Sequence, residues 1–136
     1  MTSQTTHFQQ LLHTALAQSQ PQRLLFVFAG AELPEGASAA ERERFAAGRG
    51  GALVPLACVD KDPAELTAFA ALVAESRNAC PPWQIVFIAA LSGQGGKPPS
   101  SALVDSALHG MVENVRAGRF ANYLALDPSA EPVTFS

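Results

Sequence analysis

Short runs of apolar residues alternate along the chain with stretches that have helical spacing. Two of the runs, Leu24–Phe28 and Ile85–Leu91, are apolar throughout, a pattern typical of strands that are covered on both faces. A third strand, Ala52–Val59, contains Pro55, which cannot donate to a ladder and therefore favours an edge position or a bulge. Two further strands are predicted, at Phe120–Leu126 and Pro132–Phe135.

Two capping boxes mark the starts of helices. Thr6 with Gln9 opens the first helix, and Ser38 with Glu41 opens a short polar helix that ends at Gly48. In each pair the hydroxyl and the side chain three residues later satisfy free amides of the first turn. Helices are therefore expected before the first strand and between the first two strands.

The strongest local pattern is Asp62–Glu65, which combines a capping Asp, a Pro at the first helical position and a Glu in the first turn. It predicts a third helix that starts there and ends near Arg77. An apolar stripe at helical spacing over residues 104–115 predicts a fourth helix, ended by Gly118. Every pair of the first four strands is thus separated by a helix.

This order, αβαβαβαββ, predicts an α/β fold with a mainly parallel sheet, because helical connections usually cross over between parallel strands. Placing the two apolar strands in the centre and the proline-bearing strands at the edges gives the order 2-1-3-4-5. The fifth strand is expected to be antiparallel, since the Asp127–Ala130 turn precedes it. The prediction is one three-layer domain over residues 1–136.

Composition excludes several classes of function. The net charge of −3 argues against nucleic acid as a partner, and no apolar run is long enough to span a membrane. The polar N-terminus does not resemble a signal peptide, so a cytoplasmic location is expected. Cys58 and Cys80 form no CxxC motif and are expected to be reduced thiols. No metal-ligand spacing and no cofactor motif is present.

In a parallel sheet, ligands bind beyond the carboxyl ends of the strands where the strand order reverses. The predicted crevice lies between the first and third strands. Carboxylates there could hold Mg²⁺, but Asp127 is also explained as a turn residue and Asp60 by the approach to a helix cap. The simpler explanation is preferred, so no metal site is predicted. The candidate ligand-binding residues are Gly30, Glu32, Asp60, Ser92, Gly93, Gly95, Lys97 and Asp127.

The Gly93–Lys97 loop lies where phosphate-binding loops occur, between a strand and a helix. It does not fit a Walker A motif, since Leu91 replaces the first Gly and Pro98 the metal-binding hydroxyl residue. A polar surface loop is the favoured interpretation. None of the three histidines lies in a nucleophile motif, so no catalytic residue is predicted.

The segments Gln22–Pro34, Gly50–Leu56, Cys58–Lys61 and Pro81–Trp83 resemble a group of small proteobacterial proteins labelled "ribonucleotide reductase subunit alpha". The resemblance extends from Gln22 to the C-terminus. That label implies radical chemistry with a thiyl cysteine and a separate redox-active cysteine pair. Two cysteines cannot supply that set, so the label is not adopted as the function and no active-site residue is carried over.

The sequence therefore favours a non-catalytic binding or regulatory domain, acting on a protein partner or a small ligand. The competing hypothesis is a small-ligand or divalent-metal-dependent enzyme with its site at the strand ends. An accessory role in nucleotide metabolism is a third hypothesis that rests on the resemblance alone. The edge strands also leave open a homodimer, although Pro55 and Pro132 oppose extended edge pairing.

Overall fold

A four-stranded sheet with helices on both faces forms the centre of a computed structural model, which describes residues 6–32, 36–46, 52–66 and 68–133. The strands are β1 (Gln22–Glu32), β2 (Ala52–Lys61), β3 (Ile85–Ser92) and β4 (Leu124–Leu126). The helices are α1 (His7–Leu16), α2 (Ala39–Ala46), α3 (Phe69–Ala79) and α4 (Ser101–Arg116), with a 3₁₀ turn at Pro63–Glu65.

The strands lie in the order β2-β1-β3-β4, and every neighbouring pair is antiparallel. The predicted neighbours and the central position of β1 and β3 are confirmed. The prediction of a mainly parallel five-stranded sheet was wrong. The sheet is antiparallel, and the segment after β4 contributes an isolated antiparallel bridge between Leu126 and Pro132. Thr134 and Phe135 of the predicted fifth strand lie outside the described residues.

The strand directions differ from the prediction because a helix between two strands does not force a crossover. The connection from β1 to β2 contains α2 and still returns to the end of the sheet that it left, where Glu32 pairs with Ala52. The connection from β2 to β3 does cross. These two strands run parallel to each other on either side of the antiparallel β1, as in a split βαβ unit.

Alternate residues of β1 point to opposite faces of the sheet, and each face is covered. Helices α1 and α3 cover one face, where Phe8 and Phe69 meet edge to face with their ring centroids 5.2 Å apart. Helix α4 covers the other face with the predicted stripe Val104, Leu108, Met111 and Val115. Burial on both faces explains why β1 and β3 are apolar throughout although they are not parallel.

Both capping boxes are confirmed. Thr6 Oγ1 accepts from Gln9 N at 3.1 Å, and Ser38 Oγ accepts from Glu41 N at 3.2 Å. In both boxes the side chain of the later residue accepts in return from the backbone amide of the earlier one. The predicted end of the second helix at Gly48 lies outside the described residues.

The predicted third helix is divided into two parts. Asp62 caps only the 3₁₀ turn, where its Oδ1 accepts from Ala64 N at 2.9 Å. Leu66 then becomes extended and packs beside the core under α3, which begins at Phe69. The predicted strand at Phe120–Leu126 is likewise shorter, with only Leu124–Leu126 paired in β4.

Candidate binding groove

The eight residues predicted to share one crevice lie at two opposite ends of the sheet. Because β1 and β3 are antiparallel, the end of β1 lies beside the start of β3, where Ala29 pairs with Ile85. The expectation of a single crevice was therefore wrong, since it depended on parallel strands. Gly30, Glu32 and Asp127 lie at or beyond this end, whereas Asp60, Ser92, Gly93, Gly95 and Lys97 lie at the other end.

Asp60 is held in an ion pair. Arg23 Nε donates to Asp60 Oδ2 at 2.5 Å, and both side chains are about a third exposed. Glu65 Oε1 lies 3.9 Å from the same guanidinium. The hydrogen bond to Asp60, together with these nearby carboxylates, raises the pKa of Arg23. Asp60 therefore joins β2 to β1 on the sheet face that α4 covers only in part.

The glycines after β3 build a tight turn. The main chains of Gln94 and Lys97 exchange two hydrogen bonds of 3.0–3.1 Å, and Gly95 and Gly96 between them both have positive φ. Such a pair of angles belongs to the type I′ turn, which favours glycine. Gly96 N donates to Gln20 Oε1 at 2.7 Å, so the turn is attached to the segment before β1.

Two of the candidate glycines lie in close contact with neighbouring residues. A Cβ on Gly93 would lie 1.9 Å from the Lys97 carbonyl oxygen. A Cβ on Gly30 would lie 3.0 Å from Leu56 Cδ1 and 3.2 Å from Gln84 Oε1. Backbone packing therefore requires a glycine at position 93 without a ligand, whereas a Cβ on Gly30 would displace only the ends of two side chains.

Two of the remaining polar candidates, Asp127 and Ser92, have local partners, whereas the side chain of Lys97 is exposed. Asp127 Oδ1 accepts from Ser129 N at 2.8 Å and from Glu131 N at 3.0 Å, which confirms its role in the turn after β4. Ser92 Oγ donates to the Gly93 carbonyl at 3.1 Å. The side chain of Glu32 lies outside the described part of the molecule.

A concavity of about 370 Å³ lies near Asp60, between the end of α1, Asp62 and Gly96. Two of its polar groups bond within the chain: Gln20 accepts from Gly96, and Asp62 accepts from Ala64. In the described ranges, no three His, Cys, Asp or Glu side chains are grouped as metal ligands. Several polar groups at this end of the sheet are thus already engaged within the chain.

A second concavity, of about 220 Å³, follows the outer edge of β2 and has a largely apolar surface. We call it the edge groove. Its lining residues are Phe28, Ala57, Cys58 and Val59 from the strands, and Leu72, Glu75, Ser76, Ala79 and Cys80 from α3 and its C-cap. Lys61 Nζ binds Glu75 Oε1 at 2.6 Å and thereby links β2 to α3 beside the groove.

The pairing of β2 with β1 determines which main-chain N–H and C=O groups of β2 point outward beside the groove. Hydrogen-bonded and non-hydrogen-bonded pairs alternate in an antiparallel ladder. Gly93 N donates to Pro21 O at 2.7 Å, so Pro21 and Gly93 form a hydrogen-bonded pair. Every second residue of β1 counted from Pro21 therefore bonds to β3. It follows that Phe26 and Phe28 bond towards β2, so that Val59 and Ala57 opposite them bond back to β1.

Cys58 and Asp60 lie between those bonded positions, so their N–H and C=O groups point away from β1. No other strand pairs with this side of β2 within the described ranges. Pro55 lies opposite Ala29, whose main-chain groups bond to β3. The ladder between β1 and β2 therefore loses no hydrogen bond through the missing amide of Pro55. The bulge between Phe28 and Ala29 occurs at the same place.

The two cysteines lie on different sides of this edge. Cys58 is exposed and lies opposite Val27, which points into the core under α4. Cys80 is half-buried beside the core under α3, and burial raises the pKa of its thiol. A raised pKa keeps the thiol protonated at neutral pH, so Cys80 contributes apolar surface rather than a nucleophile.

The sequence identified β2 as an edge strand through Pro55 but did not identify the groove. The groove needs α3 to lie beside β2, and no local pattern gives that placement. An available indication was the pair Ala57 and Ala79, because small residues on facing elements leave space between them.

Comparison of the chain with protein-family models, with curated proteins and with solved structures finds no match. Among the described residues, no helix combines the length and the apolar character that crossing a membrane requires.

Proposed function

We propose that this protein is a non-catalytic binding domain that takes up an extended segment of a partner protein as an additional strand on the outer edge of β2. The observation that carries the proposal is the row of outward-facing main-chain groups at Cys58 and Asp60 beside an apolar groove. Strand addition of this kind uses main-chain hydrogen bonds for affinity and side-chain pockets for specificity.

The size of the edge groove favours a side chain over a metabolite. Its volume of about 220 Å³ is below the roughly 300–1,000 Å³ of typical small-molecule pockets. A strand paired with β2 would direct the residue opposite Ala57 or Val59 to the α3 side of the sheet, where the groove lies. The groove therefore suits one apolar side chain of an extended segment.

Pro55 limits how far such a strand can extend. On the outer side it offers no amide, and the bulge beside it changes the pairing register. Prolines and bulges on edge strands prevent unlimited sheet growth. The regular part of β2 beyond them, which includes Cys58 and Asp60, is long enough for a short recognition segment.

The test uses a displayed library of random linear peptides, selected on the immobilised protein. Enriched peptides are titrated into ¹⁵N-labelled protein, and amide exchange is measured. We expect the amides of Cys58 and Asp60 to shift and become protected. The amides of Ala57 and Val59, already bonded to β1, should change little in protection.

Two variants make the test specific to this edge. Ala79→Phe should fill the groove, and Cys58→Pro should remove one outward amide without removing a bond to β1. Ala74→Phe is the matched control, because Ala74 is exposed on α3 but does not line the groove. Enrichment that is equal on Ala79→Phe and on the unmodified protein would overturn the proposal, as would shifts confined to other elements.

A further inference from the structure

The concavity of about 370 Å³ beside Asp62 has the size of a small-molecule site. Its volume falls within the roughly 300–1,000 Å³ of typical ligand pockets, whereas the edge groove falls below that range. We call this concavity the end pocket. It lies where the 3₁₀ turn packs against α1 and β1, and it shares no lining residue with the edge groove.

The walls of the end pocket include several aliphatic side chains. Leu16, Pro21 and Pro63 line it, and Leu16 is 58% exposed at the last residue of α1. Only one other large apolar side chain in the described ranges is counted as exposed. No aromatic ring from the described residues lines the end pocket. The walls therefore suit an aliphatic group and offer no ring face to a cation.

The polar atoms that remain available in the end pocket are mainly hydrogen-bond acceptors. Gln18 Nε2 donates to Thr14 O at 3.0 Å, and Gln22 Nε2 donates to Gln20 O at 3.1 Å. The side-chain oxygens of Gln18 and Gln22 accept from no described residue, so they can accept from a ligand. Gln20 is the exception, because its oxygen accepts from Gly96 N at 2.7 Å and its amino group remains available.

Negative charge is present in the same place. Asp62 Oδ1 accepts from Ala64 N at 2.9 Å, whereas Asp62 Oδ2 accepts from no described residue. The carbonyl oxygen of Leu16 accepts no main-chain hydrogen bond within the described ranges, and the C-terminal end of a helix has a partial negative charge. Arg23, on the adjacent strand, is bonded to Asp60 rather than to Asp62. The end pocket thus favours a cation that can donate hydrogen bonds.

We propose that the end pocket binds a small aliphatic molecule that has a primary ammonium group. The ammonium donates its hydrogens to Asp62 and to the amide oxygens of Gln18 and Gln22. The aliphatic part of the ligand contacts Leu16 and Pro63. A quaternary ammonium ion is excluded from this arrangement, because it has no N–H to donate and is typically bound by aromatic rings.

One exposed cation lies close to the end pocket in sequence. Lys97 follows Gly96, which lines the end pocket, and the side chain of Lys97 is exposed. Charges in contact with bulk water interact weakly, so Lys97 opposes a bound ammonium only slightly. Removal of this charge should therefore strengthen ammonium binding, whereas removal of the Asp62 charge should weaken it.

The test uses four ligands with the same butyl group: n-butylammonium, butyltrimethylammonium, 1-butanol and butyrate. Each is titrated into ¹⁵N-labelled protein at neutral pH and constant ionic strength. We expect n-butylammonium to shift the main-chain amides of Leu16, Gln20 and Gly96. It should bind at least about threefold more tightly than butanol or the quaternary ion, because charge-assisted hydrogen bonds are the stronger ones. Butyrate should cause no shift at these amides.

Three variants report on the charges. Asp62→Asn keeps an acceptor for Ala64 N and so preserves the cap of the 3₁₀ turn. It should weaken n-butylammonium binding about 2–5-fold, in the range of a surface ion pair. Asp105→Asn, at an exposed position of α4, changes the net charge equally and should leave binding unchanged. Lys97→Gln should strengthen binding up to about twofold.

Several results would overturn the ammonium site. Equal affinities for n-butylammonium and butanol would do so, as would an affinity that Asp62→Asn leaves unchanged. Tighter binding of butyrate, lost in Lys97→Gln, would replace it with an anion site at the turn. Shifts confined to residues outside the end pocket would also exclude it. None of these results affects the proposed strand addition, because the two sites share no lining residue.

Discussion

Trp83 and Ser76 form a buried hydrogen bond beneath the edge groove. Trp83 Nε1 donates to Ser76 Oγ at 2.8 Å, and the same hydroxyl donates to the Val73 carbonyl at 2.6 Å. Ser76 is the one buried polar side chain among the described residues. The pair joins α3 to the segment that leads into β3, and the Trp83 ring also packs against Phe28 of β1.

Ser76→Ala should therefore lower the free energy of unfolding by about 1–3 kcal/mol, because it leaves the buried indole N–H without an acceptor. Denaturant unfolding followed by far-UV circular dichroism measures the change, because this signal does not depend on Trp83, the single tryptophan. Ser106→Ala, at an exposed position of α4, is the control and should change stability by less than about 0.5 kcal/mol. In a Trp83→Phe background the cost of Ser76→Ala should shrink; an undiminished cost would rule out this bond as its cause.

Substitution by Ala should destabilise the protein at Gly93 and stabilise it at Gly110. Gly93→Ala places a Cβ 1.9 Å from the Lys97 carbonyl oxygen, so the turn must distort at a cost of about 1–3 kcal/mol. Gly110 lies within α4 with open space around it, so Gly110→Ala should raise stability by about 0.5–1 kcal/mol. Thermal unfolding of both variants checks the pair. A neutral Gly93→Ala would show that the turn has a different conformation.

The capping box of α2 should give this helix a dependence on pH. Hydrogen bonds from the Ser38 amide and hydroxyl lower the pKa of Glu41. Because the pKa is lowered, the ionised carboxylate stabilises the helix at pH values above the ordinary pKa of Glu. This stabilisation is lost as the pH falls through the lowered pKa. ¹³C-detected NMR should show Glu41 titrating below the usual range for Glu, and Ser38→Ala should move that pKa upwards. The same midpoint in both proteins would contradict the box.

The central positions of β1 and β3 were predictable because burial on two faces requires apolar residues at every position. Strand direction was not predictable in this way. Leu24–Phe28 has the same composition whether its neighbours run with it or against it. The direction depends on where each connection returns, and the pairing of Glu32 with Ala52 closes the first connection at the end where it began.

The third helix shows how packing overrides a strong local pattern. Asp62 and Pro63 are good starting residues and do cap a turn. The chain nevertheless leaves helical geometry at Leu66, which has φ −92° and ψ 126° and packs beside the core. This break lets α3 start afresh at Phe69, which contacts Phe8 of α1. Local sequence contains no information about that distant ring.

The candidate site was likewise predictable in its local parts and not in its tertiary arrangement. The local roles of single residues, such as Asp127 in its turn, could be read from neighbouring sequence. The grouping of Gly30 with Lys97 could not, because it followed from an assumed strand direction. The edge groove depends on α3 lying beside β2, a tertiary relationship between Ala57 and Ala79 that no window of sequence contains.

The position of β1 between β2 and β3 has a consequence for how the protein is made. Both neighbours of β1 follow it in the chain, and β3 is complete only at Ser92. At roughly 5–20 residues per second, the apolar run Leu24–Phe28 waits several seconds on the ribosome before both sides are covered. The nascent chain is thus a natural client for chaperones that hold apolar segments during translation, and truncations before Ser92 should aggregate.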